Sequence, residues 1–297
     1  MDRPQLTTLL PNAVLDRLER LRIATRSRRA NRSRGEHYTG KGGTSTEFCD
    51  YRDYAPGDDT RFVDWNIFAR MRRPYLKQFH QEQERHVVLL VDASASMRFE
   101  GKLHLARQLA AAFGMMGLLG HERVSVYASH QAADAPERLA PCRGRVSLRR
   151  LFGFIEGIDG GGDAPLERAM ELLLKFHSGR GVCVILSDFL TFGDLKRSFN
   201  MLYATGLEPL GIQILGPKEI APEVTGDVRL VDAETAAALD VSSAADLLAL
   251  YQEYRQALSG ELAMLCQRRA GRFLSLSAAE SVESVLLDQL RRQGWIA

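Results

Sequence analysis

From residue 87 onward, short apolar runs alternate with helical segments, and this alternation constrains the fold more than any other feature. The runs VVLLVD (87–92), VSVYAS (124–129), VCVILS (182–187), LEPLGIQIL (207–215), VRLVD (228–232) and RFLSL (272–276) read as strands. Between and after them, helical spacing covers 103–119, 147–157, 165–176, 193–205, about 244–269 and about 282–292, with Pro165 in a first helical turn. Strands that are apolar on both faces and separated by helices indicate a parallel sheet covered on both sides. The sequence therefore predicts an α/β fold, doubly wound and Rossmann-like, with a mostly parallel sheet over residues 81–297. An N-terminal helix and a basic, aromatic arm over residues 1–80 precede it.

Composition narrows the partners. The 297 residues are 45% hydrophobic and 26% charged, and 39 Lys and Arg face 37 acids for a formal charge of +2. That balance excludes a uniformly basic nucleic-acid coat. Cys49, Cys142, Cys183 and Cys266 are widely spaced, so neither a zinc site nor a disulfide framework is indicated. No secretory leader pattern opens the chain. The window LHLARQLAAAFGMMGLLG is broken by His104 and Arg107, short of the roughly 18 apolar residues of a spanning helix. A soluble, cytoplasmic protein with no membrane insertion is expected.

In the arm, Val14, Leu18 and Leu21 have helical spacing within 12–25, with Asn12 as its N-cap. Eight arginines follow between Arg17 and Arg34, including Arg20, Arg28, Arg29 and Arg32, with Glu19 the one acid among them. They read either as a solvated helix face running into an arm or as a docking surface for an acidic partner or nucleic-acid backbone. The patch lacks the interleaved aromatics used to stack on single strands, so nucleic acid is not the expected partner. GKGG at 40–43 has neither the spacing nor the preceding strand of a phosphate loop. Asp59 follows a Pro-Gly turn and is placed to cap a short helix, which Phe62, Trp65, Ile67 and Phe68 would pack inward. Arg61, Asp64, Trp65 and Arg70 read as an ion pair beside a buried tryptophan, locking the arm to the main domain. Residues 75–79 read as a strand.

Ligands of doubly wound sheets bind beyond the carboxyl ends of the strands. The strand at 87 ends in Asp92, with Ser94 and Ser96 at alternate positions, and the strand at 182 ends in Ser187-Asp188. Between them lies Asp159-Gly160-Gly161-Gly162-Asp163. Such oxygens, gathered at one sheet edge, suit Mg²⁺ or Mn²⁺. Asp92 would supply charge, and Ser94 and Ser96 neutral oxygens. The competing reading is that Asp92 and its serines only cap the next helix.

Asp92-x-Ser94-x-Ser96 resembles the D-x-S-x-S signature of von Willebrand factor A domains, whose metal-ion-dependent adhesion site binds Mg²⁺. Asp188 matches that family's third-loop carboxylate. Asp163 stands where the second loop commonly has Thr, which would put three carboxylates around the ion or leave Asp163 capping the next helix. The run Pro56-Gly57-Asp58-Asp59-Thr60-Arg61-Phe62-Val63-Asp64-Trp65, with Ala69-Arg70 and the later DASASM, is similar to a bacterial domain-of-unknown-function family, number fifty-eight. The resemblance implies a von Willebrand factor A-like domain and partnership with a MoxR-type AAA+ ATPase and its client protein. A non-enzymatic, metal-dependent protein-interaction module follows, with a role in client assembly or maturation. The alternatives are an Mg²⁺-dependent hydrolase or nucleic-acid binding through the arginine arm. No G-x-S-x-G elbow and no second acid two residues after Asp92 occur, so no catalytic residue is assigned.

Overall fold

The computed structural model describes residues 5–24, 48–79, 85–129, 137–162, 165–191, 193–222, 228–231, 238–241 and 244–297. The chain divides into two compact units, Met1–Arg26 with Arg85–Ala297, and Ser27–Glu84. The stretch read as one arm over residues 1–80 is therefore split. Helix α1 (Asn12–Leu18) belongs to the first unit, because Leu9, Leu10, Val14, Leu15 and Leu18 are buried in that unit's core. It ends seven residues earlier than its apolar spacing indicates, and Pro11 rather than Asn12 holds the N-cap position. The chain leaves the helix to pair with the last residues. Ile23 bridges Ile296 antiparallel, and Arg22 N–H donates to the Ala297 carbonyl at 2.8 Å.

In the second unit, β1 (Phe48–Asp53) runs antiparallel to a later strand, with helix α2 (Trp65–Met71) between them. That strand is β2 (Tyr75–Phe79). Asp64 organises the unit. Its Oδ1 caps α2 by accepting from Asn66 N at 2.9 Å and Ile67 N at 3.2 Å. Its Oδ2 takes the Lys77 ammonium and the Tyr51 hydroxyl, each at 3.1 Å. The Lys77 bond, with the others, holds the Asp64 carboxyl below its ordinary range. Among the described residues the expected Arg–Asp pair forms with neither Arg61 nor Arg70: Asp64 takes Lys77 instead, and Arg61 pairs with Asp59 at 2.6 Å. Asp59 does cap a short 3₁₀ turn through Arg61 N. Trp65 is 61% exposed, and Phe68 and Arg70 are exposed as well, so the expected inward packing of this helix is corrected.

The first unit is built on a six-stranded sheet. Its strands are β3 (Arg85–Asp92), β4 (Arg123–Ser129), β5 (Glu137–Cys142), β6 (Arg180–Ser187), β7 (Leu207–Leu215) and, after a separate antiparallel pair β8 (Val228–Val231) and β9 (Ala238–Val241), β10 (Arg272–Ser277). Their order is β10-β7-β6-β3-β4-β5, all parallel except β5 against β4. The predicted doubly wound α/β fold is what the strand order shows. β5 escaped the sequence reading: its Pro141 and a burial restricted to Leu139 and Cys142 suit an edge strand. Helices α3 (Lys102–Leu119), α4 (Leu148–Glu156), α5 (Leu166–Phe176), α6 (Leu195–Ala204), the single turn α7 (Pro217–Ile220) and α8 (Ala244–Gln267) make the connections. The chain steps from β3 to β4 on one side and returns to β6 on the other, so the winding direction reverses between β3 and β6.

Strand periodicity explains the layers. Val87, Leu89 and Val91 of β3, with Val182, Val184 and Leu186 of β6, enter one core with α3, α4 and α1. Val88 and Leu90, with Cys183 and Ile185, enter the other core with α5, α6 and α8. Helix α3 is buried along most of its length and packs close to the sheet. A Cβ at Gly117 would meet Val124 Cγ2 at 2.8 Å and Val87 Cγ2 at 3.1 Å, so this helix needs a residue without a side chain there. Among the described residues, no helix is long and apolar enough to cross a membrane. Leu89 is fully buried at the centre of β3. Leu89→Ala should therefore lower unfolding stability by about 2–5 kcal/mol, with an unchanged denaturant m-value. Chemical denaturation checks it.

Candidate functional site

The reversal between β3 and β6 is where a doubly wound sheet opens a crevice. Asp92 ends β3 there, level with Ser129 of β4. Asp92 Oδ1 accepts from Ser94 N at 3.0 Å, which turns the chain off the strand. Ser94 and Ser96 then face the same way, their Oγ atoms 3.1 Å apart. Asp92 Oδ2 accepts from Ser187 Oγ at 2.5 Å, tying the tip of β6 to that of β3.

The second loop docks on the first through its backbone. Gly161 N donates to the Ala93 carbonyl at 2.9 Å, and Ala95 N to the Gly162 carbonyl at 2.8 Å. Gly161 has φ +124°, a backbone conformation that residues with a side chain rarely adopt, so this position favours glycine, with the Arg98 guanidinium lying over it. Asp163, the sequence candidate on this loop, lies outside the described residues.

The third loop supplies Asp188. Its Oδ2 accepts from Ser96 Oγ at 2.8 Å, and its Oδ1 from Leu190 N at 3.1 Å. Its backbone carbonyl is held by Gln213 Nε2 at 3.0 Å, and Gln213 in turn accepts from Ser259 Oγ of α8 at 2.8 Å. The next residue, Phe189, takes φ +57° and is fully buried, a left-handed conformation that bulky residues rarely adopt.

Asp92, Ser94, Ser96 and Asp188 are thus brought into one hydrogen-bonded cluster. The helix-cap alternative is not what these groups do. The turn after Asp92 has Ala95 at its N-cap position and α3 has Gly101, neither with a side-chain cap, and α6 is capped by Asp194 instead of Asp188. Of the arginines singled out in the sequence, Arg17 pairs with Glu283 at 2.6 Å and Arg20 is exposed, whereas Arg28, Arg29, Arg32 and Arg34 lie outside the described residues.

Two further groups, Lys102 and Glu219, gave no sequence signal: each reads as an ordinary charge near a helix start. Lys102, at the first turn of α3, is fully buried, and its ammonium donates to Asp188 Oδ2 at 2.8 Å and Glu219 Oε1 at 2.6 Å. Burial works to lower the lysine's pKa, but the two carboxylates outweigh it and the net shift is upward. Asp92, Asp188 and Glu219 together carry more negative charge than one ammonium offsets. Burial and the neighbouring Asp188 charge accordingly push Asp92 up to about 6, against the bonds from Ser187 and Ser94.

The donor set fits a small divalent ion. Ser94 Oγ, Ser96 Oγ and Asp188 Oδ2 lie next to one another at hydrogen-bond distances of 3.1 Å and 2.8 Å, and they are hard oxygen donors of the type Mg²⁺ prefers. Among the described residues no three His, Cys, Asp or Glu side chains cluster as a metal site, so such an ion would depend on the serine oxygens. Ser129 Oγ, beside Asp92 on the neighbouring strand, is buried without a hydrogen-bond partner among the described residues.

Residues 50–259 match the family described as "Protein of unknown function DUF58". The chain belongs to that family. Uncharacterized proteins of Mycobacterium tuberculosis and Mycobacterium bovis are each 31% identical to it over 207 residues, 68% of this chain and 65% of theirs. The chain thus spans under two thirds of the length of these relatives. Its likeness to solved structures is more distant. BatB from Bacteroides thetaiotaomicron has a TM-score of 0.44 at 12% identity, covering 70% of this chain and 98% of that one. A von Willebrand factor type A protein from Catenulispora acidiphila has a TM-score of 0.37 at 15% identity, covering 48% and 35%. Proximal thread matrix protein 1 of the mussel byssus, with a zinc-occupied MIDAS motif, has a TM-score of 0.34 at 13% identity, covering 44% and 38%. All three scores lie below 0.5, and the fold stands on its own strand order.

A carboxyl raised by folding is stabilising while protonated, so its contribution is fully present below its ordinary value of 3.8 and is lost as pH rises through about 6. In metal-free buffer, Asp92→Asn should therefore raise Tm at pH 7.5 and leave it nearly unchanged at pH 4. Glu156, held low by Thr7 and Thr8, titrates in the opposite sense but equally in both proteins, so it cancels in the comparison. Thermal melts of both proteins across this range check it.

Proposed function

We propose that this DUF58 chain is a non-enzymatic protein-interaction module. Asp92, Ser94, Ser96 and Asp188 would hold Mg²⁺ or Mn²⁺, and Asp163 is a candidate fifth contributor. The observation that carries this reading is the gathering of Asp92, Ser94, Ser96 and Asp188 from two loops into one hydrogen-bonded cluster with excess carboxylate charge, at the reversal of the sheet. The ion, when bound, supplies an open coordination position for a carboxylate of the partner.

The chain's own groups prepare the site. The Ser94 amide and Ser187 hydroxyl orient Asp92, the Leu190 amide orients Asp188, and the second loop braces Ala93 and Ala95. Ser96 is less deeply buried than Asp92, Ser94 or Asp188, so the cluster opens to solvent on its side. Phe99, at 44%, and Leu190, at 37%, stand exposed on the first and third loops, and Arg98 is exposed over the glycines. An apolar pair and an arginine around a cation site suit a partner segment that bears an acidic residue among apolar ones.

The partner we propose is a MoxR-type AAA+ ATPase, or the client that it acts on, in a cytoplasmic assembly or maturation step. The family resemblance supplies that partner; the site geometry supplies the mode of contact. Pull-down of a purified MoxR-type AAA+ ATPase should require Mg²⁺, disappear with chelator and fall at least tenfold for Asp92→Ala. Equal capture with Mg²⁺ and with chelator would remove the metal-bridged contact from consideration.

A further inference from the structure

The buried lysine is not accounted for by the interaction reading. An ammonium with no solvent exposure is costly unless it is paired, and Lys102 meets that cost with two carboxylates, one of them Asp188 of the site. Lys102 bonds to the same Asp188 oxygen that accepts from Ser96 Oγ. A carboxylate oxygen offers two lone pairs, and both are thereby in use. When Ser96 turns its lone pair towards an ion, its proton leaves Asp188 Oδ2; the ammonium stays.

Glu219 offers the ammonium a second seat. It is fixed independently of the metal cluster: its Oε2 accepts from Gly216 N at 2.7 Å, and its carbonyl accepts from Tyr251 Oη of α8 at 2.8 Å. Gln252 Nε2 holds the adjacent Ile220 carbonyl at 3.0 Å, and Glu100 Oε2 holds Lys218 N at 2.8 Å. Helix α7 is therefore tied at both flanks while it presents Glu219 Oε1 to Lys102.

We propose that Lys102 is a built-in cation that competes with the divalent ion for Asp188, and that Glu219 sets the outcome by drawing the ammonium away. This inference rests on the metal reading above and adds an affinity control to it. Lys102 bonds to both carboxylates at once, so an ion taking Asp188 would leave the ammonium on Glu219; in Glu219→Gln that second seat has no charge, and the lysine keeps to Asp188 and excludes the ion. The two partners of one ion pair therefore have opposite effects on metal binding.

The test is isothermal titration of the full chain with Mn²⁺ alone, backed by electron paramagnetic resonance of free Mn²⁺. Lys102→Met should bind Mn²⁺ at least tenfold more tightly than wild type, and Glu219→Gln several-fold more weakly. Thermal melts establish that each variant is folded. If Lys102→Met does not fold, Glu219→Gln decides alone, and unchanged or tighter binding overturns the proposal. Wild-type binding with Lys102→Met no tighter overturns the proposal and leaves the metal reading standing. Absence of binding in both wild type and Lys102→Met overturns both. Binding gained only on removing Lys102 supports the competition and places the wild-type resting state with the lysine on Asp188.

Discussion

The arrangement depends on one buried carboxylate at the tip of the central strand. The two oxygens of Asp92 act separately. One bends the first loop through the Ser94 amide, and the other draws in the β6 tip through Ser187. The cost of burying this group is visible in its upward shift to about 6. A chain selected for stability alone would place a neutral residue there, since an asparagine could occupy the same turn without the charge.

Charge balance ties the site to the rest of the unit. Lys102 opens α3, a helix of one core, and Glu219 sits on a turn held by α8, a helix of the other core. The ammonium between them crosses the end of the sheet and joins the two layers at the point where the loops meet. The third loop, through Asp188, and α7, through Glu219, are linked by this single group.

Much of this was legible in the sequence, for definite reasons. Apolar runs such as VVLLV and VCVILS can be stable only with both faces covered, so the parallel sheet followed from pattern alone. The strand-end oxygens followed from the rule about carboxyl ends. What escaped was set by long-range pairing. Lys102 and Glu219 lie 117 residues apart and acquire meaning only when α7 folds back over α3. β5 carries a proline and only two buried side chains, too little for a period-two signal. Trp65 misled because an aromatic beside an aspartate reads as core, whereas the aspartate is occupied by helix amides and Lys77.

The first helix has a practical consequence for anyone dissecting this protein. A fragment trimmed to residues 81–297, the boundary that the sequence pattern invites, would leave bare the trough filled by Leu9, Leu10, Val14, Leu15 and Leu18, and would strip Ile296 of its backbone neighbour Ile23. Such a piece would expose a contiguous greasy strip and a raw strand-like edge together, the combination that drives self-association. Solubility lost on trimming would then reflect a missing wall of the domain, with no bearing on whether the crevice at the strand tips is intact.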